Sequence, residues 1–176
     1  GPELVRARRR NWHAWSLDHA FDTVPAGEPG ESTMAVELEH PFTTAKPIDE
    51  SYATILDLER VIPCVEGGSV LETTGPSSVR AEIKIKLGAM SLTFTGTVEI
   101  VEQDAETHRV ALSVKSKEAG GQGHANADVV FSLTDGGGTI HTKAQITGKA
   151  ASMGEGVVVG VLDALIKDFT SKLGQV

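Results

Sequence analysis

The sequence is poor in aromatic residues, in cysteine and in long apolar runs. Only 5% of the 176 residues are Phe, Trp or Tyr, and Cys64 is the single cysteine. One cysteine cannot form an intramolecular disulfide, which excludes a disulfide-stapled scaffold and is compatible with a reducing compartment. The longest apolar run, 157–166, is interrupted by Gly160 and Asp163. It falls well short of the ~20 apolar residues that cross a bilayer, so we expect no membrane-spanning helix.

Basic residues are also scarce. The chain has 16 Lys and Arg against 24 Asp and Glu, a formal net charge of −8. Proteins that bind a phosphate backbone concentrate Lys and Arg on one face, so this balance argues against nucleic acid as a partner. The sequence also lacks GxGxxG, Walker and HExxH motifs, and the glycine clusters at 120–123 and 136–138 are predicted to be hairpin turns.

The first 33 residues differ in composition from the rest. Gly1-Pro2 is typical of a protease-cleaved tag, and Met34 is the position that we expect to be the natural start. One interpretation of the basic, Trp-containing stretch 6–24 is an interfacial helix on lipid headgroups. We prefer the other, a tag remnant and N-terminal extension that leads into a linker. The sequence thus predicts a linker-like segment at 1–33 and one domain at 34–176, a length that supports a real hydrophobic interior.

Two-residue alternation of apolar and polar side chains predicts about seven β-strands. Short turn signals separate most of them, as in an antiparallel meander. Pro41 places the first strand near a sheet edge or a strand end, because proline cannot donate a ladder hydrogen bond. The apolar positions of the predicted strands fall within 36–42, 70–71, 81–87, 92–100, 110–114, 127–133 and 140–146.

Helical spacing appears twice. Pro47 suits a first helical turn and Pro63 stops the pattern, so two short helices are predicted between the first and second strands. Near the end of the chain, residues 157–173 carry apolar side chains at four-residue steps, typical of a long amphipathic helix. An antiparallel sheet needs a cover for its apolar face. We therefore expect an α+β fold in which a curved sheet wraps around the C-terminal helix.

Several blocks, in the right order, carry a family resemblance. The stretches VIPCVEGG, KIKLGAMSLTFTGTVEI, AGGQGHANADVVFSL and GGGTIHTKAQITGKAASMGEGVV resemble the CoxG family, the G subunit of carbon monoxide dehydrogenase, which belongs to the START-like helix-grip (SRPBCC) superfamily. The resemblance runs from about Met34 to Leu173. Family members usually have a second glycine after the Ile-Pro pair, where this chain has Cys64, so the loop that enters the second strand is expected to differ in shape.

The resemblance implies a hollow fold. A seven-stranded antiparallel sheet would grip the C-terminal helix, and two short helices would close one end of a hydrophobic tunnel. Proteins like this bind lipids, sterols, quinones or other apolar ligands. For the CoxG branch, the implied role is accessory to the aerobic molybdenum-containing carbon monoxide dehydrogenase, with placement of that enzyme at the cytoplasmic membrane.

The electron transfer that such an enzyme requires makes the expected ligand more specific. The enzyme must pass electrons to a quinone whose isoprenoid tail stays in the bilayer, since each buried CH₂ is worth about 0.8 kcal/mol. We therefore expect a non-enzymatic carrier of menaquinone or ubiquinone, with no covalent cofactor, that is cytoplasmic and peripheral on the inner face of the membrane. The alternative is an adaptor that recruits or assembles the dehydrogenase without transferring a ligand. A third, weaker possibility is a lipid-modifying or cyclase-like enzyme.

Small residues support a cavity independently, because only five aromatic side chains lie between Met34 and Val176. A thin, fully packed core is the alternative. Glycines 154, 156 and 160 would allow close helix–sheet approach in a thin core, or portal room and flexibility beside a cavity. Apolar, inward-facing positions are predicted to line the tunnel, and Tyr52 is predicted as a polar contact to the ligand head group. The predicted lining residues are Ile55, Leu58, Val61, Ile62, Ile83, Ile85, Leu92, Phe94, Leu112, Val114, Val129, Phe131, Ile140, Ala144, Ile146, Met153, Val157, Val161 and Leu165.

We expect no catalytic and no metal site. Cys64 lies in an apolar loop, which favours a buried, inert thiol. His124, Asn126 and Asp128 share one strand face, but the opposite parity is apolar, so this trio is predicted to face water rather than a metal.

Lysines form an outward-facing set within this acidic chain. An ordinary solvated sheet face is the simpler explanation. The alternative is a docking patch for an acidic partner or for anionic headgroups. The set comprises Lys84, Lys86, Lys115, Lys117 and Lys143.

Overall fold

The computed structural model describes residues 33–174. The N-terminal extension, and with it both interpretations of residues 1–32, lies outside the described residues. The strands are β1 (Thr33–Thr43), β2 (Gly68–Gly75), β3 (Ser78–Leu87), β4 (Met90–Asp104), β5 (Arg109–Glu118), β6 (His124–Thr134) and β7 (Gly137–Thr147). The helices are α1 (Ile48–Ile55), α2 (Leu58–Val61) and α3 (Glu155–Leu173), with short 3₁₀ turns at Ile62–Cys64 and Ala151–Met153.

The strands form one sheet in the order β1-β7-β6-β5-β4-β3-β2, with every neighbouring pair antiparallel. Strands β2 to β7 follow one another as the predicted meander, and β1 joins the far side by pairing with β7. Pro41 therefore lies on an edge strand, as predicted, opposite Thr139. The predicted seven-stranded sheet and its two short helices between β1 and β2 are confirmed.

Helix α3 covers one face of the sheet, which we call the inner face; the other is the outer face. The helix contacts β1, at one edge of the sheet, and β3, next to the other edge. The sheet therefore curls around the helix. Val158 near its start and Phe169 and Leu173 near its end are buried. No helix in the described residues is both long enough and apolar enough to cross a membrane.

The core has two main clusters, one at each end of α3. Cluster 1 joins α1, α2 and the second half of α3 to the sheet, and includes Ile55, Phe131 and Phe169. Cluster 2 joins the first half of α3 to the sheet around Leu92 and Phe94. Burial of one large apolar side chain stabilises a fold by about 1.5–3 kcal/mol, so these clusters fix the helix mainly at its two ends.

The outer face corrects one prediction. Asn126 and Asp128 do not face water: they are only 7% and 4% exposed, and His124 is half-buried. Lys143, predicted in the outward basic set, is also buried. The physical reason is polar pairing within the face: Asn126 accepts a hydrogen bond from the Ser116 N–H at 3.2 Å, and Asp128 lies opposite Lys143 in the β6–β7 register. The alternation of polar and apolar residues correctly placed these side chains on the outer face, but it did not show that they are buried there.

Candidate apolar ligand site

A partly open cavity of about 160 Å³ lies against the inner face of β3, β4 and β5. Its walls are almost entirely apolar, and Glu82 and Ser116 carry the only polar side chains among its lining residues. The lining residues are Ile62, Val65, Gly68, Ala81, Glu82, Ile83, Phe94, Gly96, Val98, Val114 and Ser116. The Ser116 hydroxyl donates to the Ala125 carbonyl oxygen, so its proton is already used.

The cavity follows from a row of small residues across three strands. In the strand register Ala81 lies opposite Gly96, and Gly96 lies opposite Ser116. Larger side chains flank this row on both sides, with Phe94 on one and Val98 on the other. A Cβ on Gly96 would clash with the Lys115 carbonyl group, so close strand approach requires glycine here. Because the residues of this row have small side chains or none, they leave a trough in an otherwise closely packed face.

The loop between α2 and β2 forms the opposite wall. Ile62 and Val65 contribute apolar side chains from this loop. Backbone hydrogen bonds hold the loop in place: the Gly68 N–H donates to the Val65 carbonyl oxygen at 2.9 Å, and the Lys84 N–H donates to the Gly67 carbonyl oxygen at 3.0 Å. The cavity wall is thus tied directly to strand β3.

Packing of α3 is tight at both ends and incomplete in between. Val158 and Phe169 are 3% and 7% exposed. The larger apolar side chains between them are only half-buried, and none of the lining residues of the 160 Å³ cavity comes from α3. These half-buried residues are Val159, Val161, Leu162, Leu165 and Ile166. The middle of α3 is therefore the part of the cover that can move with the smallest loss of packing.

Only some of the predicted lining residues reach the cavity; most of the others lie in the core away from it. Ile62, Ile83, Phe94 and Val114 line the cavity. In cluster 1, or packed against it, lie Tyr52, Ile55, Leu58, Val61, Leu112, Val129, Phe131 and Ile140. In cluster 2, or packed against it, lie Ile85, Leu92, Ile146, Met153 and Val161. Ala144 is buried and Leu165 half-buried, whereas Val157 is 39% exposed because its neighbour Val158 takes the inward position on the helix.

Several lining residues were not among the predicted ones. They are Val65, Gly68, Ala81, Glu82, Gly96, Val98 and Ser116. Ala81 and Val98 do have the inward parity that marks the inner face. The small residues Gly96 and Ser116 carry no apolar signal of their own, and only the register shows that they form one row.

Tyr52 lies away from the cavity. Its ring meets the ring of His108 edge-on, with centroids 5.6 Å apart, and His108 Nε2 is 2.7 Å from Asp49 Oδ1. Burial raises the pKa of the Tyr52 hydroxyl, and nearby Asp104 raises it further. This arrangement fixes α1 to the turn between β4 and β5.

A second, larger cleft of about 370 Å³ lies between the two short helices and the β2–β3 hairpin. Its walls include Asp57, Glu59 and Thr73, and the Thr73 hydroxyl donates to Glu59. This cleft is open, and its acidic and hydroxyl side chains share the walls with apolar ones, which suits hydrocarbon less well than an almost entirely apolar wall. The smaller apolar cavity is therefore the better site for an apolar ligand.

Chemically reactive groups are few near the cavity. Cys64 is 6% exposed, and its Sγ donates to the Arg60 carbonyl oxygen at 3.5 Å. Burial raises the pKa of this thiol, an effect that Lys172, Lys46 and Arg60 partly offset, so the reactive thiolate is disfavoured. Within residues 33–174, no three His, Cys, Asp or Glu side chains are grouped to hold a metal ion.

This architecture, a curved antiparallel sheet that grips a C-terminal helix and has an apolar cavity on its inner face, is the helix-grip fold. Similar solved structures share it at low sequence identity. A conserved protein from Geobacillus kaustophilus is 22% identical with a TM-score of 0.63, covering 82% of this chain and 93% of its own. The Zhui aromatase/cyclase from Streptomyces sp. R1128 is 16% identical with a TM-score of 0.54, covering 80% and 94%.

The family is identified by sequence. The model of the family described as the G subunit of carbon monoxide dehydrogenase (CoxG) matches residues 41–176. The chain therefore belongs to the CoxG family, as the resemblance of its sequence blocks predicted. No curated protein matches the sequence.

Proposed function

We propose that this protein is a non-enzymatic carrier that binds a membrane quinone, menaquinone or ubiquinone, and couples it with aerobic carbon monoxide dehydrogenase. The observation that carries the proposal is the apolar cavity beside the Ala81–Gly96–Ser116 row. A membrane adaptor has no need of such a cavity, whereas a carrier depends on one. Membership of the CoxG family supports the dehydrogenase as the partner.

The size of the cavity limits what it holds. Its 160 Å³ is close to the ~150 Å³ of an engineered cavity that binds benzene, and below the ~300–1,000 Å³ of typical ligand pockets. The cavity therefore suits a ring-sized head group or a short hydrocarbon segment. A long isoprenoid tail needs more room, which displacement of the half-buried middle of α3 would provide.

The chemistry of the walls supports binding rather than catalysis. A cyclase-like reaction needs an acid and a base that face the ligand. Glu82 is the only titratable side chain among the lining residues, and 28% of its side chain is exposed. Glu82 shares the outward strand parity of Lys84, whose Nζ lies 4.0 Å from its carboxylate, so it does not supply an acid–base pair that faces the ligand.

The direct test is the ligand itself. Protein purified from a quinone-producing host is extracted with organic solvent, and the extract is analysed by mass spectrometry. We expect a near-stoichiometric quinone. In the Val114→Phe variant, whose added ring fills the cavity, bound quinone should fall at least tenfold. The matched control is Leu71→Phe, which enlarges a side chain that is 47% exposed on β2, and it should keep its quinone.

Electron transfer separates the carrier from the adaptor. Purified dehydrogenase, carbon monoxide and vesicle-borne quinone are mixed with each variant, and quinone reduction is followed. For a carrier, Val114→Phe abolishes the stimulation of quinone reduction. Ala81→Leu, a smaller filler, provides a second variant, and the thermal unfolding of both shows whether they are folded. Normal stimulation by folded fillers, or wild-type protein without bound quinone, would contradict the carrier proposal.

A further inference from the structure

Charged side chains are segregated along the strand direction. One end of the sheet carries the β3–β4 turn, the β5–β6 turn and the loop before α3. We call it the basic end, because four exposed lysines lie there: Lys84, Lys86, Lys117 and Lys149. The side chain of Lys84 is 71% exposed. Its acidic side chains are Glu82, Glu118 and Glu155.

The opposite end of the sheet is acidic. It carries α1, α2, the end of α3, the β2–β3 and β6–β7 hairpins and the β4–β5 turn. Its exposed or half-exposed cations are Lys46, Arg60, Arg80, Arg109 and Lys172, and its exposed acidic residues are Asp49, Glu50, Asp57, Glu59, Glu72, Glu106 and Asp135. Within this acidic chain, acidic side chains outnumber basic ones at this end, whereas lysines outnumber acidic side chains at the basic end.

Apolar side chains are exposed among the lysines of the basic end. Val157 is 39% exposed, Ala89 is exposed, and Met90 and Met153 are half-buried. The β3–β4 turn and the loop before α3 meet here, since a Cβ on Gly88 would lie 3.8 Å from Met153 Cε. We call Ala89, Met90 and Met153 the apolar tip; Val157 follows Met153 by four residues, in the first turn of α3. A basic rim around an apolar tip is the pattern of a surface that binds anionic lipid.

The basic end also adjoins the ligand cavity. Ile83 lines the cavity, and the next residue, Lys84, points to the outer face. The Lys84 N–H holds Gly67, beside the lining residue Gly68. A surface bound through Lys84 would therefore lie next to the cavity wall formed by the α2–β2 loop.

We infer that the basic end is the surface by which this protein docks on an anionic membrane, with the apolar tip entering the headgroup region. The acidic end would be turned away, because the same surface charge repels it. This inference extends the proposed function. Its consequence for quinone uptake rests on the protein being a quinone carrier. Docking in this orientation would place the cavity wall close to the lipid that supplies the ligand.

Vesicle co-sedimentation of the full chain at low salt tests the inference. The probes are vesicles of phosphatidylcholine alone and vesicles with equal parts of phosphatidylglycerol. Wild-type protein should bind the anionic vesicles and not the neutral ones. The double variant Lys84→Glu/Lys86→Glu should bind at least roughly 30-fold more weakly, the equivalent of about 1 kcal/mol for each lysine lost. Lys46→Glu/Arg60→Glu makes the same charge change at the acidic end and should bind like wild type.

Three results would overturn the inference: no binding of wild-type protein to anionic vesicles, equal binding to neutral ones, or equal losses in both double variants. A second basic-end pair, Lys117→Glu/Lys149→Glu, should also weaken binding, and thermal unfolding confirms that each variant is folded. Quinone content is measured on the same preparations. Bound quinone without docking overturns only the docking surface, whereas docking without bound quinone overturns only the carrier proposal.

Discussion

A polar contact joins the edge strand β1 to helix α3. His40 is buried on the inner face, and its Nε2 lies 2.6 Å from Asp163 Oδ1. The other carboxylate oxygen of Asp163 is 3.0 Å from Lys167 Nζ, one helical turn further on. The contact provides the buried imidazole with a partner, and loss of that partner would leave a desolvated polar group in the interior. It also holds the middle of α3, where apolar packing is weakest.

Asp163→Asn should therefore destabilise the protein near neutral pH and reduce its sensitivity to acid. Hydrogen bonds from His40 and then Lys167 lower the pKa of Asp163 below its ordinary value of 3.8. A lowered pKa gives stability that is present above the ordinary value and is lost as pH falls through the lowered one. Urea unfolding from about pH 7 to about pH 3 measures this loss, which should be smaller in the variant.

The control for this prediction is Asp168→Asn. Asp168 also pairs with a lysine one turn away, Lys172, at 2.9 Å, and the exposed fraction of its side chain equals that of Asp163, 38%. Asp168 has no hydrogen bond to a buried histidine. Its replacement should cost less stability, as is usual for surface ion pairs on helices. Equal losses in the two variants would show that the His40 contact contributes nothing of its own.

At the level of elements, the glycines of α3 have different roles. Gly154 has a φ of +100°, a left-handed conformation that starts the helix and that other residues adopt only with strain. A Cβ on Gly156 or Gly160 would meet nothing within 4 Å, so close approach to the sheet does not explain either glycine. Our hypothesis is that these two glycines make the helix flexible, since glycine lowers helix stability by about 1 kcal/mol relative to alanine.

Gly160→Ala should raise the free energy of unfolding by about 0.5–1 kcal/mol, because alanine favours the helix and has space for its methyl group. Gly154→Ala should lower it instead, because the new Cβ is strained at positive φ. Urea unfolding measures both. If the glycine at 160 serves mobility, release of bound quinone should also become slower in Gly160→Ala; an unchanged release rate would reject that role.

The same elements show what could be predicted from sequence. Two-residue alternation identified the inner face of the strands, and four-residue steps identified α3, because both depend only on local geometry. The cavity depends instead on which residues lie opposite one another. Ala81, Gly96 and Ser116 are far apart in sequence and form one row only through the register of three strands. Parity alone could therefore not show that Phe94 of cluster 2 reaches the cavity, whereas Phe131 of cluster 1 does not line it.

In the whole molecule, each of the two core clusters lies beneath one of the two differently charged ends of the sheet. Cluster 2 underlies the basic end and cluster 1 the acidic end, and the ends of α3 are buried in one cluster each. The cover is thus anchored at both ends while its middle stays loosely packed. A carrier needs this combination, because ligand exchange must occur without global unfolding. The proposed docking surface would put exchange at the membrane.

Ligand removal should lower the stability of the whole molecule. A ligand that binds only the folded state stabilises it by about 2.7 kcal/mol at a concentration 100 times its Kd. For a chain of this size each kcal/mol shifts the midpoint of thermal unfolding by roughly 2–4 °C, so delipidation should lower it by about 5–10 °C. Calorimetry before extraction, after extraction and after quinone is restored measures the effect. Val114→Phe should show no such shift, because its cavity is filled; an identical midpoint for extracted and loaded wild-type protein would mean that the apolar cavity does not hold the quinone.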